Sequence, residues 1–379
     1  MKVINIATAL CAFSSVASAN SIEPNWQQVN LQSNLFAQFG YYQTSREEPY
    51  SIPGVITDAH VSHHEQGLQL MHGELGLLAS LDQILAAKLV VGSHHGEAIE
   101  IEELWLQPYL HQNWTLRIGR QLSPIGLYNA THEHDWSFLD PTLAQQAFLA
   151  SQYQDDSVHV TYATNRQDLT LWLGRGDQFP AQADSASPAA FGALYQWYQL
   201  RSQYQLTLVA SAAQFTAQQR SNQQDDGHSH KHTSQTSPMT FTGDTQLVSL
   251  SSQLKWQQLT WDVEWMGQRL DANLVDSQQI NTELSAFQQG LSSQLRWQND
   301  QLELGLRYDW LHTDNQVTNT SRDFEQALDA KGLTPQRYSA VVNWRFAPMQ
   351  LLRLQANYEQ IDEQNQTAFW LVYQGNLTW

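Results

Sequence analysis

The chain has 379 residues, a formal net charge of −18 and a mean hydropathy of −0.46. After Ala19 no apolar run reaches the roughly 18 residues of a membrane helix, which excludes a helical membrane bundle. So acidic a balance also argues against nucleic acid as a partner. Fourteen Trp, 14 Tyr and 13 Phe stand beside only 15% charged residues. Uncharged polar residues alternating with apolar ones suit a wall with lipid on one side and water on the other.

The first element is a leader. Lys2, the apolar run Val3 to Val16 and Ala17-Ser18-Ala19 form the basic, apolar and small-residue regions of a secretory signal peptide over residues 1–19. Its apolar part is too short to span a bilayer. The single cysteine, Cys11, lies inside it, so the mature chain is expected to have no disulfide. Residues 20–30 read as a periplasmic segment, and 31–379 as a transmembrane β-barrel.

Segments with a period of two then follow along the whole chain. In Leu302 to Trp310, Leu302, Leu304, Leu306, Tyr308 and Trp310 share one face, and Glu303, Gly305, Arg307 and Asp309 the other. Leu259 to Trp265 and Tyr338 to Phe346 repeat the pattern. This period defines strands, and their length is that of tilted membrane strands rather than of a soluble sandwich. Sixteen are predicted, at 31–43, 67–81, 84–93, 98–110, 114–122, 156–164, 168–176, 190–200, 204–216, 244–256, 259–270, 284–298, 301–313, 337–347, 350–360 and 367–379. Segment 98–110 alternates worst, because Glu100, Glu102 and Glu103 break the period.

The connections alternate between short turns and long loops, as in bacterial outer-membrane barrels with periplasmic turns and external loops. Trp114, Trp256, Trp297, Phe346 and Trp379 fall at the short-turn end, where an aromatic girdle belongs. The last segment carries Phe369, Leu371, Tyr373, Leu377 and Trp379 on one face. A terminal aromatic on such a strand resembles the signal read by the outer-membrane barrel assembly machinery. The expected surroundings are thus outer-membrane lipid.

Sixteen strands leave an aqueous channel. The inferred lumen face carries Lys88, Arg117, Lys255, Asp262, Glu264, Arg296, Glu303, Arg307, Asp309, Arg345 and Arg353. Mixed charge of this kind suits a water-filled pore, and equally suits pairs across strands. The longest loop, 122–155, is rich in aromatics and in His, Asp and Asn, so it should fold into an ordered lid. Its residues Asn129, Glu133, Asp135 and Asp140, with Arg117 and Arg120 on the preceding strand, are the candidates for a pore constriction.

A family resemblance enters on this stretch. Leu116-Arg-Ile-Gly-Arg-Gln-Leu-Ser-Pro-Ile-Gly126, then His132-x-His134-x-Trp136-x-Phe138-x-Asp140-Pro141, Ala147-Phe148-Leu149 and Asp155-Asp156, resembles the phosphate-selective porin O/P-like superfamily, and within it the small zinc-regulated outer-membrane porins. The resemblance covers about 40 residues. It implies a porin barrel and diffusion of small hydrophilic solutes. Ser157 stands where the family often has Gly, and the acidic balance is at odds with a phosphate filter, so phosphate selectivity is not implied. By analogy with sixteen-stranded porins, a homotrimer is expected.

Histidine points beyond a generic pore. Of 14, His60, His63, His64, His94, His95, His132, His134, His228, His230, His232 and His312 fall at the long-loop end. Imidazole suits zinc, copper and nickel, and short His-rich tracts bind metal. Asp225 and Asp226 stand beside the tract His228-Ser-His230-Lys-His232 and could complete a zinc shell. His132 and His134 suit hydrogen bonding inside the folded loop as well as ligation, and His63 and His64 suit plain solvation. No cofactor is required; Zn2+ at the external loops, assisting its own uptake, is the expectation. No G-x-S-x-G elbow or H-E-x-x-H motif is present, so an enzyme is not expected. A receptor with a plug domain ahead of its barrel conflicts with strands that begin near Leu31. A non-conducting structural or adhesin-type barrel is the competing reading.

Overall fold

The computed structural model describes residues 29–46, 51–56, 66–81, 84–96, 98–183, 188–221 and 239–379. Sixteen antiparallel strands close into one barrel. They are β1 (Val29–Thr44), β2 (Gly67–Leu81), β3 (Leu85–His94), β4 (Glu100–His111), β5 (Trp114–Leu122), β6 (Gln154–Ala163), β7 (Gln167–Gly174) and β8 (Ala190–Leu200), then β9 (Tyr204–Ser221), β10 (Thr240–Trp256), β11 (Leu259–Val275), β12 (Asn281–Gln298), β13 (Leu302–Val317), β14 (Gln336–Ala347), β15 (Gln350–Gln360) and β16 (Gln366–Thr378). Two short helices lie in the long connections, α1 (Leu143–Leu149) and α2 (Arg322–Leu328). β1 closes on β16, from Asn34 opposite Thr378 to Thr44 opposite Ala368. The start of β1 and the end of β16 both lie at the short-turn end.

The alternation sorts residues to two solvents. Outward positions are apolar and open: Leu250 is 54% exposed, Leu306 64% and Trp261 50%. Their inward neighbours Ser251, Arg307 and Asp262 are buried. In water this arrangement would be inside out; in a bilayer it is the stable one, since a charge on the lipid face at the midplane costs ~2–4 kcal/mol.

Strands β9 to β13 run beyond their predicted ends on the long-loop side, β11 to Val275 and β13 to Val317. The reason is a change in the polarity of each face. In β11 the apolar residues Trp261, Val263 and Trp265 face out, but higher up Leu270, Ala272 and Leu274 are buried inside while Arg269, Asp271 and Asn273 are exposed. The hairpins have risen out of the apolar layer, so their outer face is polar and their inner face packs protein. Phe241, Leu270, Leu274, Leu284 and Ile56 form that packing with Phe324 and Leu328 of α2.

Register shifts interrupt the ladder near the start of the chain, and two of them bear on the site. Between β1 and β2, Gln38 pairs with His72 and Phe39 with Leu70, leaving Met71 extra. Between β3 and β4, Val90 pairs with Glu103 and Val91 with Ile101, leaving Glu102 extra. The second bulge explains why this strand alternated poorly. Bulges re-aim side chains, and here Glu102 and Glu103 both turn away from lipid.

Candidate functional site: a loop locked across the lumen

The connection between β5 and β6 folds into the barrel and reaches opposite walls. Near its start the Gly126 amide donates to Ser211 Oγ at 3.0 Å and the Leu127 amide to Glu264 Oε1 at 2.7 Å. Gly126 has φ +60°, and a Cβ there would sit 2.2 Å from Glu264 Oε1. Tyr128 donates its hydroxyl to Asp262 at 2.6 Å on β11. Four residues later His132 meets Glu103 on β4. In a ring of sixteen, β4 and β11 are seven places apart, so the side chains of Tyr128 and His132 tie this turn to nearly opposite walls.

The rest of the loop is gripped by β12 to β15. Arg296 donates to Ser137 Oγ at 2.7 Å, Arg353 to the Trp136 carbonyl at 2.8 Å and Asn343 to the Ser137 carbonyl at 3.0 Å. Asp140 is the centre of this grip. It pairs with Arg307 and Arg337, each at 2.8 Å, and accepts from Asn357 at 2.9 Å and from Gln355. Burial alone would raise the Asp140 carboxyl, but Arg307 and Arg337 outweigh it and hold the group below the usual aspartate range. Thus a row of arginines on one wall faces carboxylates on the inserted loop.

The loop is an ordered plug, for three reasons. Asn129 is fully buried and ties the two ends together, donating to the Ser123 and Tyr153 carbonyls and accepting from the Tyr153 amide. Thr142 caps α1 through a reciprocal capping box with Gln145. All seven residues of α1 are buried, where Leu143, Phe148 and Leu149 join Ile52, Phe215, Leu247, Met266 and Leu311. Burial of each large apolar side chain is worth about 1.5–3 kcal/mol.

Where the loop meets β2 to β4 lies a cluster of histidines and carboxylates. His72 Nε2 is 3.0 Å and His94 Nε2 3.2 Å from Glu102 Oε1. His134 Nε2 is 3.4 Å from Glu74 Oε2, at an angle that makes no hydrogen bond. His132 binds Glu103, which also takes Lys88 at 2.9 Å and the Trp105 indole at 2.6 Å. The rings of His72 and His94 stack at 4.3 Å, and Phe36 packs on His134 at the same distance. Burial, with the neighbouring His72 and His132, pushes the His134 imidazole down to about 3, so it is neutral. His132 is raised instead: burial disfavours its charge, but the bond to Glu103 prevails.

The sequence-derived residues divide as follows. Asp140, His132 and His134 are in contact with the barrel wall. Glu133 accepts from Ser151 within the loop and Asp135 is exposed. Asn129 is a buried anchor rather than a lining residue. Arg117 lies on the inner face, bound to Gln107 at 2.9 Å and stacked over Trp105. Arg120, expected beside it at the constriction, is on the outer face. It sits opposite exposed Leu104 and pairs with Asp156 at 2.9 Å. Residues three apart in a strand point to opposite sides, and near the interface an outward charge costs little. His63, His64, Asp225, Asp226, His228, His230 and His232 lie outside the described residues, as does the leader.

Sequence reading passed over His72, Glu74, Glu102, Glu103 and Arg337. The signals were His72-x-Glu74, which puts two ligand types on one strand face, and the adjacent Glu102 and Glu103, which mark a bulge.

Neither a family model nor a curated protein matches this sequence. Solved structures do match in fold. The outer-membrane channel DcaP of Acinetobacter baumannii superposes with a TM-score of 0.61 at 12% identity, over 92% of this chain and 97% of that one. OmpT of Vibrio cholerae, in a trimer form, gives 0.58 at 10% identity over 92% and 99%. An anion-selective porin from Comamonas acidovorans gives 0.54 at 9% over 92% and 99%. The fold is therefore that of the outer-membrane porin barrels.

Proposed function

We propose that this chain is an outer-membrane porin through which small hydrophilic solutes diffuse past its own inserted loop. The observation that carries the reading is the loop itself, held across the lumen by a charged wall. Arg117 on the wall and Glu133, Asp135 and Asp140 on the loop are assigned to the constriction. The motif at 116–156, which builds the loop and its anchors, is the ground for placing the chain near the phosphate-selective porin O/P-like superfamily and its zinc-regulated members. Zinc uptake assisted by histidines at the external loops belongs to the same reading. So do a homotrimer, for which the trimer form of Vibrio cholerae OmpT is the analogue, and recognition of β16 and Trp379 by the assembly machinery. Proteoliposomes carrying the folded barrel should swell in small sugars and progressively less in larger ones.

One observation favours the competing reading of a closed, structural barrel. The apolar packing around α1 fills part of the lumen along β7 to β13. Liposomes that fail to swell in any solute, with the barrel folded, would establish that reading.

A further inference from the structure

We propose that the histidine–carboxylate cluster on β2, β3, β4 and the inserted loop is a divalent transition-metal site made of overlapping ligand sets, along which a cation such as zinc steps from the external mouth into the lumen. The stepping rests on the channel reading; the site itself does not.

Among the described residues three sets of ligands occur, the atoms within each set lying within 4.8 Å of one another: His72, His94 and Glu102; His72, Glu74 and His134; Glu74, Glu102 and His132. Zinc–ligand bonds of 2.0–2.1 Å in a tetrahedron place ligand atoms about 3.3 Å apart. The observed separations of 3.0 Å for His72–Glu102, 3.2 Å for His94–Glu102 and 3.4 Å for His134–Glu74 are already near that value. Mixed imidazole and carboxylate suits zinc, nickel and copper, whereas magnesium and calcium favour all-oxygen shells. Each set offers three protein ligands, which leaves a position for water and keeps the ion exchangeable.

A second observation points to a ligand. Both ring nitrogens of His134 and Glu74 Oε2 are buried without a hydrogen-bond partner, and their side chains are only 9% and 5% exposed. Orphaned polar atoms of this kind are costly unless something binds them. A cation between them would supply the missing contacts. His132 has the outer support typical of a metal ligand: its Nε2 faces Glu103 while its Nδ1 lies 3.9 Å from Glu102 Oε2. A carboxylate behind a ligating imidazole fixes its orientation and raises its basicity.

Each pair of sets shares a member: His72 belongs to the first and second, Glu74 to the second and third, and Glu102 to the first and third. Exposure gives them a direction. His94 is half-exposed at the end of β3, whereas the side chains of His134 and Glu74 are almost enclosed. An ion captured at His94 can exchange one ligand at a time toward His134. Weak, multiple sites of this sort allow an ion both to enter and to leave.

The test uses the folded full-length barrel and zinc chloride alone. A background variant, His228→Ala with His230→Ala and His232→Ala, removes the external tract. In that background, titration calorimetry should still record a zinc event. Adding His72→Gln and His134→Gln should weaken it by at least about tenfold, with the heat-modifiable gel shift confirming a folded barrel. Should that variant not fold, His94→Gln at the exposed edge replaces it with the same expectation. An isotherm indifferent to these substitutions overturns the site. Single-channel current on the same proteins separates the two claims. Zinc should reduce the current of the background variant and not that of the His72→Gln, His134→Gln form. A conducting barrel without the zinc event refutes the site alone. A zinc-binding barrel without current upholds the site and overturns the stepping.

Discussion

Replacing residues 128–140 by a short glycine linker is expected to raise single-channel conductance severalfold. The deletion removes the ties across the middle of the lumen: Tyr128 to Asp262, His132 to Glu103, His134 beside Glu74, and Asp140 to Arg307 and Arg337. It also changes the charge of the path. Glu133, Asp135 and Asp140 are lost, while Arg296, Arg307, Arg337 and Arg353 stay on the wall. The larger pore should therefore shift toward anions, because local charge at the constriction sets selectivity. Reversal potentials in a salt gradient measure the shift. Unchanged conductance would mean that solutes do not pass the loop.

Substituting Asp140→Asn should have the second largest effect, this time on stability. Removing one partner of a buried ion pair typically costs ~3–5 kcal/mol, because the other charge is left uncompensated. Here the loss falls toward the lower end of that range. Arg307 keeps Asp309 at 2.9 Å and Arg337 keeps Glu359 at 2.6 Å. The pH dependence has a definite sign. Arg307 and Arg337 depress the carboxyl in the folded state, so its stabilisation is complete above the ordinary aspartate pKa of about 3.9 and disappears as pH falls through the lower folded value. Thermal unfolding in detergent should show the variant well below the wild type at neutral pH, with the gap closing in strong acid. A gap that persists at low pH would contradict a role for the ionised carboxylate.

The barrel was legible in the sequence because a membrane strand must alternate between two solvents, and that alternation is strictly local. Strand number follows from it, and the end at which the turns are short from the alternating lengths of the connections. What was not legible has a physical cause in each case. The upper parts of β9 to β13 were cut short because their apolar face changes sides once the strands leave the bilayer, as at Leu270 and Leu274. The bulges at Met71 and Glu102 were invisible because an extra residue is defined by the partner strand. The loop was singled out by its length and composition, and Asp140, His132 and His134 with it. Their partners were not, since Glu103, Glu74 and Arg337 are joined to the loop only by tertiary contact. Arg120 was assigned by motif, and the period of two alone would have placed it opposite Arg117.

The central claim is that this barrel conducts, restricted by its own loop. Single-channel recording in planar bilayers, on wild-type protein shown to be folded by its heat-modifiable gel shift, tests it most directly. The account predicts discrete current steps of small amplitude. A folded barrel that inserts and carries no current, with the loop present or deleted, would contradict it.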